Sequence, residues 1–136
     1  MPTPPLAALR QWLEQRHAAV MAAEGRALAC LDRGDLPGHA DGMHEKAHLL
    51  AALREESAPL LAALPPDMDA AERERLRHRL HCFSASAHNA LRLDSLFYMS
   101  ALLYPEDHKP GQPDDLQVFI RRLRDEGEHY TLHPQD

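Results

Sequence analysis

From Asp35 to Leu64 the chain alternates between an apolar and a charged face at helical spacing. Leu36, Met43 and Leu50 recur at seven-residue steps, Ala47 and Leu61 interleave with them, and Leu53, Leu60 and Leu64 widen the stripe. Asp41, Glu45, Lys46, Glu55 and Glu56 fall on the opposite face, which suits water. The pattern predicts an amphipathic helix that partners cover on one side. Pro59 inside it removes one backbone hydrogen bond and crowds the preceding turn, which predicts a kink between Glu55 and Pro59.

The flanking stretches repeat the periodicity. Thr3 before Pro4 suits a helix start, and Leu6, Leu9, Leu13, Val20, Ala27 and Leu31 make one buried face up to about Arg33. Gly34 supplies a stop, and Asp35, or alternatively Asp41, caps the middle helix. Leu64-Pro65-Pro66-Asp67 breaks the chain, and Asp69 with Glu72 forms a capping box for a third helix. Its seam reads Leu76, Leu80, Phe83, Ala87, Ala90, Asp94, Phe97 and Ala101, interrupted only by the aspartate. Ser84, Ala85, Ser86 and Ala87 are small enough to admit a neighbouring helix at mid-length.

Tyr104-Pro105 ends that helix, and a Pro-, Gly- and charge-rich linker runs through Pro113. Asp114 or Asp115 caps a last element whose Leu116, Phe119, Ile120 and Leu123 form an i, i+3, i+4, i+7 stripe, with Gly127 as its stop. The predicted fold is all-α, an antiparallel bundle of three long helices over residues 1–104. Residues 105–136 are read as a linker and a short amphipathic, partner-binding segment.

Composition narrows the function classes. The 136 residues suffice for one core but are few for an enzyme with a separate substrate domain. A net charge of −6 disfavours nucleic acid or an anionic membrane as the main partner. No apolar run approaches the ~20 residues of a spanning helix, and Met1-Pro2-Thr3-Pro4-Pro5 lacks the basic and apolar regions of a signal peptide, so the cytoplasm is the expected compartment. Cys30 and Cys82 read as two small buried residues rather than a disulfide or a metal pair.

One stretch looks catalytic. His44-Glu45-Lys46-Ala47-His48 matches HExxH, in which two histidines one turn apart hold zinc and the glutamate activates water. The continuations that usually supply a third ligand are missing, and Glu72 lies beyond a double-proline turn. His44 and His48 are therefore expected to face solvent, with Met43, Ala47 and Leu50 claiming the inward face. His78, His81, Cys82 and His88 share a helix with Arg73, Arg75, Arg77 and Arg79, whose charges disfavour a bound cation. No metal, cofactor or catalytic residue is assigned.

The segments Glu24-Gly25-Arg26-Ala27-Leu28, Asp32 to Asp35, and His44-Glu45-Lys46 with Leu49-Leu50 and Leu53 together resemble the FlgN-like flagellar export chaperones. Ala87-His88-Asn89-Ala90-Leu91 is similar to that family's asparagine-bearing third helix, and Tyr104-Pro105-Glu106-Asp107 to the start of its tail. The resemblance spans roughly Leu9 to Gly111. It implies a cytoplasmic, non-enzymatic chaperone that binds hook–filament junction proteins before type III export and brings them to the export machinery. It also implies that the C-terminal stripe Leu116, Phe119, Ile120 and Leu123 contacts the partner. Two alternatives stay open, a zinc-dependent hydrolase or metal-binding protein using His44, Glu45 and His48, and a generic helical adaptor. Homodimer formation is left open as well.

Overall fold

The structure, a computed structural model, describes residues 4–132, with side chains through Leu123. Among these residues it has six α-helices and no strand: α1 (Pro5–Asp32), α2 (Leu36–Ala51), α3 (Leu53–Ala62), α4 (Ala70–Arg92), α5 (Leu96–Ala101) and α6 (Asp115–Leu132). α1 packs against α2, α4 packs against α2 and α3, α5 closes against α2 and α4, and α6 docks on α1. Arg26 pairs with Glu45 and Arg16 with Glu56, so α2 and α3 run back alongside α1. The all-helical expectation holds, but the middle and third predicted helices are each two elements.

α1 starts at Pro5 with Pro4 as N-cap, and Thr3 lies outside the described residues. It ends as expected at Gly34, whose φ of +76° lets the amides of Gly34 and Asp35 turn back onto Leu31 and Cys30. Asp35 then caps α2 through the Gly38 amide.

The break in the middle helix falls at Ala52, well before Pro59, which sits inside α3. Its cause is a side chain from another helix. Ser84 Oγ of α4 accepts a hydrogen bond from the Arg54 amide at 2.9 Å and donates to the Leu50 carbonyl at 3.2 Å, occupying the place of the direct Arg54-to-Leu50 bond. An inserted hydroxyl of this kind opens the ladder and bends a helix.

α4 stops at Arg92, not at Tyr104 as predicted. Asp94 takes φ +49°, the Asp94 and Ser95 amides fold back onto Leu91 and Ala90, and Ser95 caps α5 through the Tyr98 amide. The seam register therefore does not continue. Phe97, predicted in the core, is 75% exposed, and Met99 takes the buried place. Leu31 and Leu36, both assigned to apolar stripes, are also exposed, because each lies at a helix end beyond the reach of the neighbouring helices.

Leu9, Leu13, Val20, Leu50, Leu53, Leu76, Leu80 and Phe83 build the main core, which Leu116, Phe119, Ile120 and Leu123 of α6 share. A smaller cluster of Ala27, Met43, Ala47, Ala90 and Met99 closes the other end. There α1 and α2 approach closely: a Cβ on Gly42 would lie 2.6 Å from Ala27 Cβ and 3.0 Å from the Ala23 carbonyl. Only glycine fits that crossing. Residues 109–112 turn the linker back, and the Asp115 amide reaches the Leu103 carbonyl at 3.0 Å. α6 begins in a reciprocal box, the Gln117 amide on Asp114 Oδ1 and the Asp114 amide on Gln117 Oε1, both at 2.9 Å. It passes through Gly127 without stopping. A glycine lowers helix propensity by about 1 kcal/mol but ends a helix only where the backbone turns left-handed.

Candidate functional site

The HExxH residues do not converge. His44 places Nδ1 2.7 Å from the Ala40 carbonyl and Nε2 2.8 Å from Asp94 Oδ1, so both ring nitrogens face oxygen acceptors. A ring that donates on both sides is an imidazolium. The Ala40 carbonyl and then the Asp94 carboxylate accordingly hold its pKa above the ordinary value. In that form no lone pair is left for a metal. Glu45 pairs outward with Arg26, and His48 is exposed. His44 is only partly in water, with 37% of its side chain accessible. Among the described residues no group of three or more His, Cys, Asp and Glu is arranged to hold a metal ion. Cys82 Sγ meets His78 at 3.5 Å, and both cysteines are half-buried, not fully buried as predicted.

Lys46, placed on the solvent face by its spacing, is instead fully buried. Its Nζ donates to Glu24 Oε2 at 2.8 Å and to the Ser100 carbonyl at 3.0 Å, and lies 4.9 Å from the Tyr104 ring centre. The Tyr104 hydroxyl donates to the other Glu24 oxygen at 2.5 Å. Burial lowers the lysine pKa against the pull of Glu24, while burial and then the same carboxylate push the Tyr104 phenol well above its usual range. Close by, Asp114 is 3% exposed and meets His17 Nε2 at 2.8 Å. Burial alone would raise this carboxyl, but His17 and the amides of Gln117 and Leu116 together hold it below the ordinary value.

This cluster ties α1, α2, α5, the linker and the start of α6 together, and Nζ is closed to any substrate. A signal for it was present in the sequence. Glu24 falls between Val20 and Ala27 on one apolar stripe, Lys46 adjoins Met43 and Ala47 on another, and opposite charges on two facing stripes mark a buried pair.

The C-terminal stripe is seated on the chain's own bundle. Leu116, Phe119, Ile120 and Leu123 are each 8% exposed or less, and Phe119 meets Phe83 edge-on with ring centres 5.8 Å apart. In this state the stripe is core, and presenting all four residues to a partner requires α6 to leave its dock.

Apolar surface stays open beside α6 and at one end of the bundle. Between α4 and α6 runs a groove of about 590 Å³, with Leu76, Val118, Phe119 and Leu123 among its lining and Arg75, His78, Arg79 and Arg122 along its edges. At the bundle end Leu28, Leu31 and Leu36 stand exposed around the α1–α2 turn, and Leu93, Leu96, Phe97 and Tyr98 around the α4–α5 turn. No helix among the described residues is long and apolar enough to cross a membrane. No family model, curated protein or solved structure matches this chain.

Proposed function

We propose that the protein is a non-enzymatic, helix-binding chaperone of the FlgN-like kind, acting in the cytoplasm on hook–filament junction proteins before flagellar type III export. The observation that carries the reading is the seating of α6. It is an amphipathic helix at the end of a tether, and its apolar stripe docks by side-chain packing on the other helices. A helix held this way can exchange its dock for a partner's helix of the same i, i+3, i+4, i+7 pattern, with no cofactor and no chemical step. The zinc-hydrolase alternative is the weaker reading, because the ring nitrogens of His44 face Ala40 and Asp94.

The test is a chain truncated after Gly111, with binding to the co-encoded junction proteins measured beside helix content and melting. The expected result is a folded bundle that has lost its partner. Undiminished binding overturns the reading. So does loss of the fold, because α6 would then be indispensable core and could not be exchanged.

A further inference from the structure

We infer that the groove between α4 and α6 is a docking site for an acidic amphipathic helix of a partner protein, taken up while α6 remains seated. The inference deepens the helix-binding reading and rests on it, but not on the flagellar identity of the partner.

The walls of the groove are two helical stripes. On α4, Ala71, Glu74 and Arg75, and His78 and Arg79 follow one another turn by turn; on α6, Val118 and Arg122 stand one turn apart. Leu76, Phe119 and Leu123 are buried, yet each still lines the opening. The long sides that frame them are exposed at Arg75, His78, Arg79 and Arg122. An apolar floor between polar rims is the form that receives the anchors of an amphipathic helix.

Charge selects the occupant. The chain carries −6 overall, yet the groove's described lining holds three arginines against the single acid Glu74. That glutamate is already held by Arg77 at 2.6 Å on its outer side. Arg75 has Glu72 only at 3.6 Å, and Arg79 lies over the Phe83 ring at 4.9 Å, a contact that leaves its guanidinium edge free to meet a carboxylate. A rim of arginine fork donors on an otherwise acidic molecule repels basic helices and orients acidic ones.

The experiment titrates the ¹⁵N-labelled full chain with synthetic helical peptides of about 18 residues carrying leucines at i, i+3, i+4 and i+7. One peptide bears glutamates beside the anchors, a second lysines, and a third keeps the glutamates but replaces the leucines by serine. Saturable shifts from the first, centred on residues 74–79 and 118–123, are expected, with the other two at least about tenfold weaker. Raising the salt from about 0.05 to about 0.5 M should weaken the first about tenfold. The variant R75E/R79E/R122E should reverse the preference towards the lysine peptide, and R122E alone should shift it partway if the triple variant folds poorly.

Equal binding of acidic and basic peptides, shifts centred on residues 93–98, or no saturable binding overturns the proposal. So does a sedimenting dimer that the charge-reversed variant dissolves, since the occupant would then be a second copy. Peptide binding without any binding of junction proteins sinks the flagellar reading and leaves the groove. Junction-protein binding that survives charge reversal, with no peptide binding, does the opposite.

Discussion

Lys46 Nζ sits 2.8 Å from Glu24 Oε2, joining α2 to α1 at a point where the lysine has no contact with water. A buried pair of this kind contributes little against an apolar replacement, but removing one member strands the other charge. Lys46→Met is therefore expected to cost about 3 to 5 kcal/mol in urea unfolding, and Glu24→Leu with Lys46→Met to recover part of it, because the Tyr104 hydroxyl and the Ser100 carbonyl lose their partners in the double variant. Equal losses in the single and double variants would show that the pair is not coupled.

The Ser84 hydroxyl serves both open backbone groups at the α2–α3 break. Ser84→Ala leaves the Leu50 carbonyl and the Arg54 amide without that partner, at an expected cost of about 1 to 3 kcal/mol. The control is Ser86→Ala on the exposed face of the same helix, expected to stay within about 0.5 kcal/mol. Equal unfolding midpoints for the two variants would remove the inserted hydroxyl as the cause of the break.

Two glycine substitutions should have opposite signs. Gly25 lies in α1 with open space around a would-be Cβ, so Gly25→Ala should stabilise by about 0.5 to 1 kcal/mol through helix propensity. Gly42→Ala gains the same propensity but forces α1 and α2 apart at Ala27, and should be net destabilising. Thermal melts of the two variants side by side decide the point, and a Gly42→Ala chain that melts higher than the parent rejects the close crossing.

Asp114 and His44 give stability opposite slopes with pH. The folded pKa of Asp114 lies below its ordinary 3.8, so its contribution is complete above that value and disappears as pH falls through the lower folded value. His44 is raised above 6.5, so its contribution is complete below 6.5 and is lost as pH rises through the higher folded value. Asp114→Asn should flatten the acid limb of the stability curve, and Asp94→Asn the limb above 6.5. Curves parallel to the parent's in both variants would contradict these assignments.

Periodicity and capping chemistry by themselves determined that the chain is helical, that Gly34 and the Pro65-Pro66 pair separate helices, that Asp69 stands at a helix start, and that Leu80, Phe83 and Ala87 are buried. These are local effects, set by neighbours three or four positions away. The tertiary structure alone decided the rest. The bend at Ala52 comes from a hydroxyl on α4, the exposure of Phe97 from the left-handed turn at Asp94, and the burial of Lys46 from Glu24 on another helix. The open groove beside α6 follows equally from how α4 and α6 are set apart, because a surface between two helices exists only once both are in place.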